Sequence, residues 1–177
     1  MTGRDRRLMN EWDEILERFS SRTDCRCTPV EKNFAGAPVR YLVLYRIRSI
    51  CGVDAQEMPL FADEFLMEIS LGERYPSIDD PAKFRFLSED PSTGRTYPLP
   101  WHPNIRYGGP MAGRVCINAP DSWASLAWAV DRVGEYLRYH RYHATNEPPF
   151  PEDQRVAAWV CRKGEAENLI FFDGNES

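Results

Sequence analysis

Apolar residues recur at three- and four-residue steps near the start of the chain. Leu8, Met9, Trp12, Ile15, Leu16 and Phe19 fall on one side of a helical wheel, with Arg6, Arg7, Asn10, Asp13, Glu14 and Glu17 on the other. The pattern predicts an amphipathic helix over residues 5–19. Beyond a polar stretch containing Cys25 and Cys27 the period drops to two. Residues 39–50 are rich in β-branched and aromatic side chains, and Val39, Tyr41, Val43, Tyr45 and Ile47 share one face of a predicted strand. Residues 64–71 alternate again, with Phe65, Met67, Ile69 and Leu71 on one side, and residues 82–87 repeat the pattern through Phe84 and Phe86. Gly52, Pro59, Gly72, Pro76 and Pro81 punctuate these runs, and no gap carries the helical pattern of a parallel crossover. An antiparallel meander follows.

Residues 91–120 hold Pro91, Pro98, Pro100, Pro103, Pro110 and Pro120 together with four glycines, which excludes long regular elements. The same segment is rich in Trp, Tyr, Ile and Val, and an apolar-rich irregular segment of this length inside a domain is usually functional. Asp121 or Ser122 is placed to cap a second helix running to about Tyr142, with Leu126, Val130, Val133 and Leu137 as its buried stripe. Pro151 suits the first residue of a third helix through Val156, Trp159 and Val160. The expected fold class is α+β: a helix, about four antiparallel strands, an irregular segment and two helices. Residues 1–160 form the expected domain and residues 161–177 a C-terminal extension.

Composition narrows the function classes. Hydrophobic residues at 42% and charged residues at 28% match a folded soluble domain. A formal net charge of -5 argues against a dedicated nucleic-acid binder, which concentrates positive charge to displace phosphate counterions. The longest apolar runs, residues 41–45 and 124–130 with Ser125 inside the second, fall far short of the ~20 residues of a membrane span. Arg4, Arg6 and Arg7 stand beside a stretch interrupted by Asp5, Asn10, Glu11 and Asp13, unlike a secretory signal. Five irregularly spaced cysteines do not form a disulfide framework, so reduced thiols and a cytoplasmic setting are expected.

The irregular segment contains His102-Pro103-Asn104-Ile105, then Gly113-Arg114-Val115-Cys116-Ile117-Asn118, and then Trp123. This resembles the active-site region of ubiquitin-conjugating enzymes, with a His-Pro-Asn tripeptide, a Gly-x-x-Cys segment and a following Trp. Tyr75-Pro76, Phe84-Arg85-Phe86 and Pro148-Pro149-Phe150-Pro151-Glu152 match the family's order of features, and the resemblance spans about residues 5 to 160. It implies a UBC-like fold and a thioester carrier. Cys116 would accept a ubiquitin-like modifier from an activating enzyme and pass it to an amine on an acceptor protein.

The chemistry suits these residue types. A thiolate is both a good nucleophile and a good leaving group, and a few per cent of a thiol with pKa ~8.5 is ionised near neutral pH without a histidine base. Amine attack puts negative charge on the carbonyl oxygen, a task the family gives to the tripeptide's asparagine, here Asn104. His102 reads as a residue that holds the loop rather than one that moves protons. The family's gate position falls on Thr145, Asn146 and Glu147 without a choice among them, and Asn118 stands where an acidic residue often follows the cysteine. The family also docks its first helix on the activating enzyme through basic residues, for which Arg4, Arg6 and Arg7 are candidates.

Two departures accompany the match. Several more residues, Tyr107 to Ala112 among them, separate Asn104 from Cys116 than is usual in eukaryotic members. Either they bulge out as a glycine-rich flap or they displace Asn104. The divergence resembles prokaryotic members encoded beside a modifier, an activating enzyme and a deconjugating protease, some of which act in anti-phage defence. The competing function is a non-catalytic UBC-like or RWD-like protein-binding module, against which Cys116 argues. No cofactor is expected, and no metal: Cys25-x-Cys27 and His140-x-x-His143 do not have the spacing of a zinc site, and the histidines with Arg138 and Arg141 read as a solvated helix face. The expected partners are activating enzyme, modifier and acceptor protein, with no nucleic acid or membrane, and the free chain is expected to be monomeric.

Overall fold

Helix α1 (Gly3–Phe19) begins ahead of the apolar periodicity because Thr2 closes a capping box. Its hydroxyl accepts from the Asp5 N–H at 3.1 Å and its own N–H donates to the Asp5 carboxylate at 2.7 Å. The computed structural model describes residues 1–77, 79–117 and 125–172. Six strands follow: β1 (Cys25–Lys32), β2 (Pro38–Tyr45), β3 (Ser49–Val53), β4 (Pro59–Ala62), β5 (Phe65–Ser70) and β6 (Lys83–Leu87). β1, β2, β5 and β6 form one antiparallel sheet in that order, while β3 and β4 make a separate hairpin. The α+β expectation holds, with an N-terminal helix, a four-stranded meander and two C-terminal helices.

The elements correct the sequence reading in four places. The strand expected over residues 39–50 is two. Tyr41, Val43, Tyr45 and Ile47 keep one buried face, but Ser49 and Ile50 are then both buried, so the alternation breaks where the chain leaves the main sheet. The polar stretch around Cys25 is strand β1, on the sheet edge, where only Cys25 is fully buried and the outer residues need not be apolar.

Helix α2 (Leu126–Leu137) is capped by Ser125, whose hydroxyl accepts from the Trp128 N–H at 3.2 Å; Asp121 and Ser122 lie outside the described residues. Its end comes five residues before Tyr142, because Tyr139 takes a left-handed φ of 56°. The Tyr139 N–H then bonds the Tyr136 carbonyl and the His140 N–H the Glu135 carbonyl, a Schellman closure. A tyrosine there costs about 1–2 kcal/mol of backbone strain, offset by burial of its ring and a bond from its hydroxyl to the Trp101 carbonyl. His140, Arg141 and His143 therefore sit beyond the helix rather than on its face. Helix α3 (Gln154–Trp159) is capped by Asp153 instead of starting at Pro151, since the Asp153 carboxylate accepts from both Arg155 and Val156.

The inner face of the sheet packs on α2. Tyr41, Val43, Tyr45, Phe65, Met67, Ile69 and Phe86 meet Leu126, Val130, Val133 and Leu137, and the buried Tyr45 hydroxyl donates to the Val130 carbonyl at 2.9 Å. Each aliphatic side chain on that helix stripe contributes about 1.5–3 kcal/mol by leaving water. Glu11, 2% exposed, joins α1 to this layer: it accepts from Arg7, from the Tyr75 hydroxyl at 3.1 Å and from the Leu126 N–H at 2.8 Å. A second cluster of Ile50, Trp101, Tyr139, Val156, Trp159, Val160 and Ile170 lies behind the irregular segment. After α3 the chain continues as a π-helical turn, Val160–Gly164, and Ile170 packs into that cluster at 1% exposure.

Candidate active site

The site is built on the irregular segment, which two anchors make rigid. His102 is buried and lies between the Tyr136 and Tyr139 rings. Its Nδ1 accepts from the Asn104 N–H at 3.1 Å, so Nε2 carries the proton and donates to the Arg141 carbonyl at 3.0 Å. Burial pushes the imidazole pKa down to about 3, against a smaller opposing effect of the Arg141 carbonyl, and the ring is neutral at physiological pH. The second anchor is Asp153. Its N–H bonds the Pro103 carbonyl at 2.9 Å, and its carboxylate accepts from the Tyr107 N–H at 2.9 Å as well as capping α3.

Between these anchors the chain folds into a two-stranded antiparallel ribbon. The Cys116 N–H donates to the Asn104 carbonyl at 2.8 Å, Ile105 bridges Val115, and the Arg106 N–H donates to the Arg114 carbonyl at 2.9 Å. Ile105 and Val115 face the core. Strand alternation gives the other face to Cys116, Arg106 and Arg114, whereas Asn104, the backbone partner of Cys116, is itself buried. The returning arm also pairs with β6, through Phe86 N–H to Gly113 carbonyl at 2.8 Å and Val115 N–H to Phe84 carbonyl at 3.0 Å. Gly113 is required for this approach: its φ is +86°, and a Cβ there would meet the Phe86 carbonyl oxygen at 2.0 Å.

Residues 107–112 form the turn of the ribbon, so the longer spacing bulges outward and leaves Asn104 opposite Cys116 in register. Tyr107 pins the flap's first arm, its hydroxyl donating to the Cys51 carbonyl at 2.8 Å and its ring edge-on to Trp101 at 4.7 Å. Glu152, ahead of α3, pins the base. Its Oε1 accepts from Arg114 Nε at 2.8 Å and lies 3.4 Å from Arg106 Nε.

The Cys116 thiol is half-buried, and its pKa is raised first by burial and then by the Glu152 charge, with Arg114 acting in the other direction. Asn104 is 3% exposed, and its Oδ1 accepts from the His143 N–H at 3.1 Å. His143 Nε2 is 3.0 Å from the Glu147 carbonyl, so the loop carrying the exposed Thr145, Asn146 and Glu147 is tied through His143 to the Asn104 side chain. Asn118 and Trp123 lie outside the described residues.

The three N-terminal arginines separate in character. Arg4 donates to the Gly72 carbonyl at 2.8 Å and Arg7 pairs with Glu11 at 2.7 Å, whereas Arg6 is exposed. Sequence reasoning gave no role to Glu152, Asp153, His143 or Tyr107. Asp153 carried a detectable signal as a cap ahead of a helical pattern; the others are defined only by tertiary contacts. Among the described residues no group of three or more His, Cys, Asp or Glu side chains is arranged to hold a metal, and no helix is long and apolar enough to cross a membrane.

No protein-family model matches the chain, and the search of curated proteins finds no match. Solved structures do. The E2 domain of a Toxoplasma gondii ubiquitin-conjugating enzyme superposes with a TM-score of 0.55 at 17% identity, covering 92% of this chain and 90% of that one. A candidate ubiquitin-conjugating enzyme of Plasmodium yoelii gives 0.52 at 16% identity, covering 96% and 90%. The chain has the fold of ubiquitin-conjugating enzymes.

Proposed function

We propose that this chain is a ubiquitin-conjugating-type enzyme that accepts a ubiquitin-like modifier as a thioester on Cys116 and transfers it to an amine. The observation that carries this reading is the register of the ribbon. The Cys116 N–H bonds the Asn104 carbonyl, so a half-buried thiol and a fixed side-chain amide belong to paired residues of one small element. A non-catalytic binding module has no need of that juxtaposition.

In the charging step the Cys116 thiolate attacks the carbonyl of the incoming thioester, and the activating enzyme's thiolate leaves. A raised thiol pKa lowers the ionised fraction, yet it also makes the thiolate more nucleophilic, which suits exchange between thiols. In the discharge step an amine attacks the thioester. The Asn104 Oδ1 is occupied by the His143 N–H, which leaves the Nδ2 end as the donor for the developing oxyanion. The loop of Thr145, Asn146 and Glu147, held to Asn104 through His143, is the candidate region for receiving the amine. His102 serves as a neutral brace for the tripeptide.

The activating enzyme, the modifier and an acceptor protein are the partners of this reading. Arg6 is the N-terminal arginine best suited to docking, because Arg4 and Arg7 serve contacts within the chain. The flap of residues 107–112 supports assignment to the prokaryotic branch, with a role in anti-phage defence, and genes for a modifier and an activating enzyme beside this one would be its test. Residues 1–160 are the proposed catalytic unit, with the following turn packed onto it through Ile170, acting in the cytoplasm.

The decisive experiment incubates the chain with ATP, the activating enzyme and the modifier. A thiol-sensitive adduct is expected, absent in Cys116→Ala. Persistence of that adduct in the variant would overturn the assignment.

A further inference from the structure

The face that carries Cys116 is crowded with cations. Antiparallel pairing sets Arg85 of β6 beside Arg114, and Arg114 beside Arg106, so three guanidinium-bearing positions stand in a row across three neighbouring strand segments. The same register, followed two residues toward the thiol, brings Lys83 of β6 level with Cys116. Like charges at directly opposed positions destabilise a sheet. Among the described residues two carboxylates face the row. Glu152 lies against Arg106 and Arg114, and Glu68, opposite Arg85 on β5, is 3.4 Å from Arg40. Arg85 directs its Nε to the Ala112 carbonyl at 3.0 Å. Among the described residues, Lys83, Arg85, Arg106 and Arg114 thus outnumber the carboxylates set among them.

We propose that this row seats acidic side chains in the C-terminal tail of the modifier, selecting an acidic tail over a basic one; the inference rests on the thioester reading of Cys116. The tail is favoured over the acceptor by direction. The loop tied to Asn104 meets the ribbon at the Cys116 end, and the arginine row crosses the ribbon two residues from the thiol on the side of the turn. An extended chain advances about 3.4 Å per residue. A tail bound at the sulfur and running that way crosses the row about two to three residues before its terminal carbonyl, over Arg114 with Arg106 and Arg85 on either side. Charge complementarity there would also raise the encounter rate at low salt.

Peptide thioesters of mercaptoethanesulfonate test this without an activating enzyme. The Cys116 thiolate attacks the peptide carbonyl carbon, a new carbon–sulfur bond forms, and mercaptoethanesulfonate leaves as the thiolate; the cysteine's proton goes to buffer. Three peptides identical except for Asp, Ser or Arg at positions two to four from the carbonyl are compared by mass spectrometry of the Cys116 adduct. The Asp peptide is expected to react about 3- to 10-fold faster than the Arg peptide at low salt, as suits a few exposed ion pairs. The preference should shrink in 1 M salt and reverse in an Arg85→Glu/Arg114→Glu variant. Equal rates for the three peptides on wild-type protein, or a preference for the Arg peptide, would overturn the inference while leaving the thioester reading intact. Absence of any Cys116 adduct would remove the thioester reading and the inference with it.

Discussion

Replacing Gly113 by alanine is a sharp test of how the thiol is held. Two penalties combine at this position. A φ of +86° is strained for an L side chain, by about 1–2 kcal/mol. The new Cβ would stand 2.0 Å from the Phe86 carbonyl oxygen, 3.0 Å from its carbon and 3.2 Å from its nitrogen, all backbone atoms that cannot rotate aside. The ribbon arm must therefore move away from β6, endangering the Phe86-to-Gly113 and Val115-to-Phe84 hydrogen bonds, worth about 0.5–1.5 kcal/mol each. The expected loss is about 2–5 kcal/mol, or about 4–20 °C in Tm for a domain of this size. Urea unfolding gives the free energy, and native-state hydrogen exchange locates it, with the Phe86 and Val115 amides losing protection before the β2–β5 ladder. A loss below about 0.5 kcal/mol with both amides still protected would refute the claim that close backbone approach dictates this glycine.

Three further outcomes follow from the site. Asn104→Asp keeps the acceptor for the His143 N–H but removes the amide donor, so charging should persist while discharge to amines slows by about 100- to 1,000-fold; normal discharge in that variant would make Asn104 purely structural. Glu152→Gln removes a charge that raises the Cys116 pKa, so alkylation of Cys116 by iodoacetamide should quicken about 2- to 5-fold at pH 7 and converge with wild type above the thiol pKa; slower alkylation at pH 7 would contradict the assigned sign. The His102 pKa is lowered on folding to about 3, so the unfolded chain binds the extra proton once pH drops below about 6.5. Stability should then fall by about 1.6 kcal/mol in all between pH 6.5 and 5, the slope steepening toward about 1.4 kcal/mol per pH unit, a loss to be measured by urea unfolding and absent in His102→Gln; a flat wild-type profile over that window would show that the ring accepts a proton in place.

What the sequence disclosed follows from how locally each feature is encoded. The α1 face, the β2 and β5 alternations and the α2 stripe rest on burial of one face, and the buried sets agree with the pattern. β1 escaped because an edge strand needs few apolar residues, and its inward positions begin with cysteines rather than branched side chains. The α2 end escaped because tyrosine is a rare left-handed terminator, stabilised by ring packing and the Trp101 carbonyl, neither adjacent in sequence. Of the candidate site, Cys116, Asn104 and His102 were singled out through a motif, and the structure brings all three onto the irregular segment. Glu152 and His143 act through partners 38 or more residues away and carry no local signature of that role, whereas Asp153 offers a cap signal for α3 but none for its tie to Tyr107.

The same contrast explains why the added residues between Asn104 and Cys116 need not disturb the chemistry. In an antiparallel ribbon the pairing is set from the closed end of contacts: Asn104 with Cys116, Ile105 with Val115, Arg106 with Arg114. Residues inserted between Arg106 and Arg114 lengthen only the turn, and the entropy of closing a loop rises by just ~0.6 kcal/mol per doubling of its length. Three tertiary ties offset that expense: the Tyr107 hydroxyl on Cys51, the Tyr107 amide on Asp153, and both ribbon arginines on Glu152. Sequence spacing is thus a poor measure of how Asn104 and Cys116 are placed relative to one another, whereas register is a good one. The flap adds surface beside the thiol without moving the amide opposite it, which leaves the ribbon's outer face able to diverge in charge while the thiol and amide stay in place.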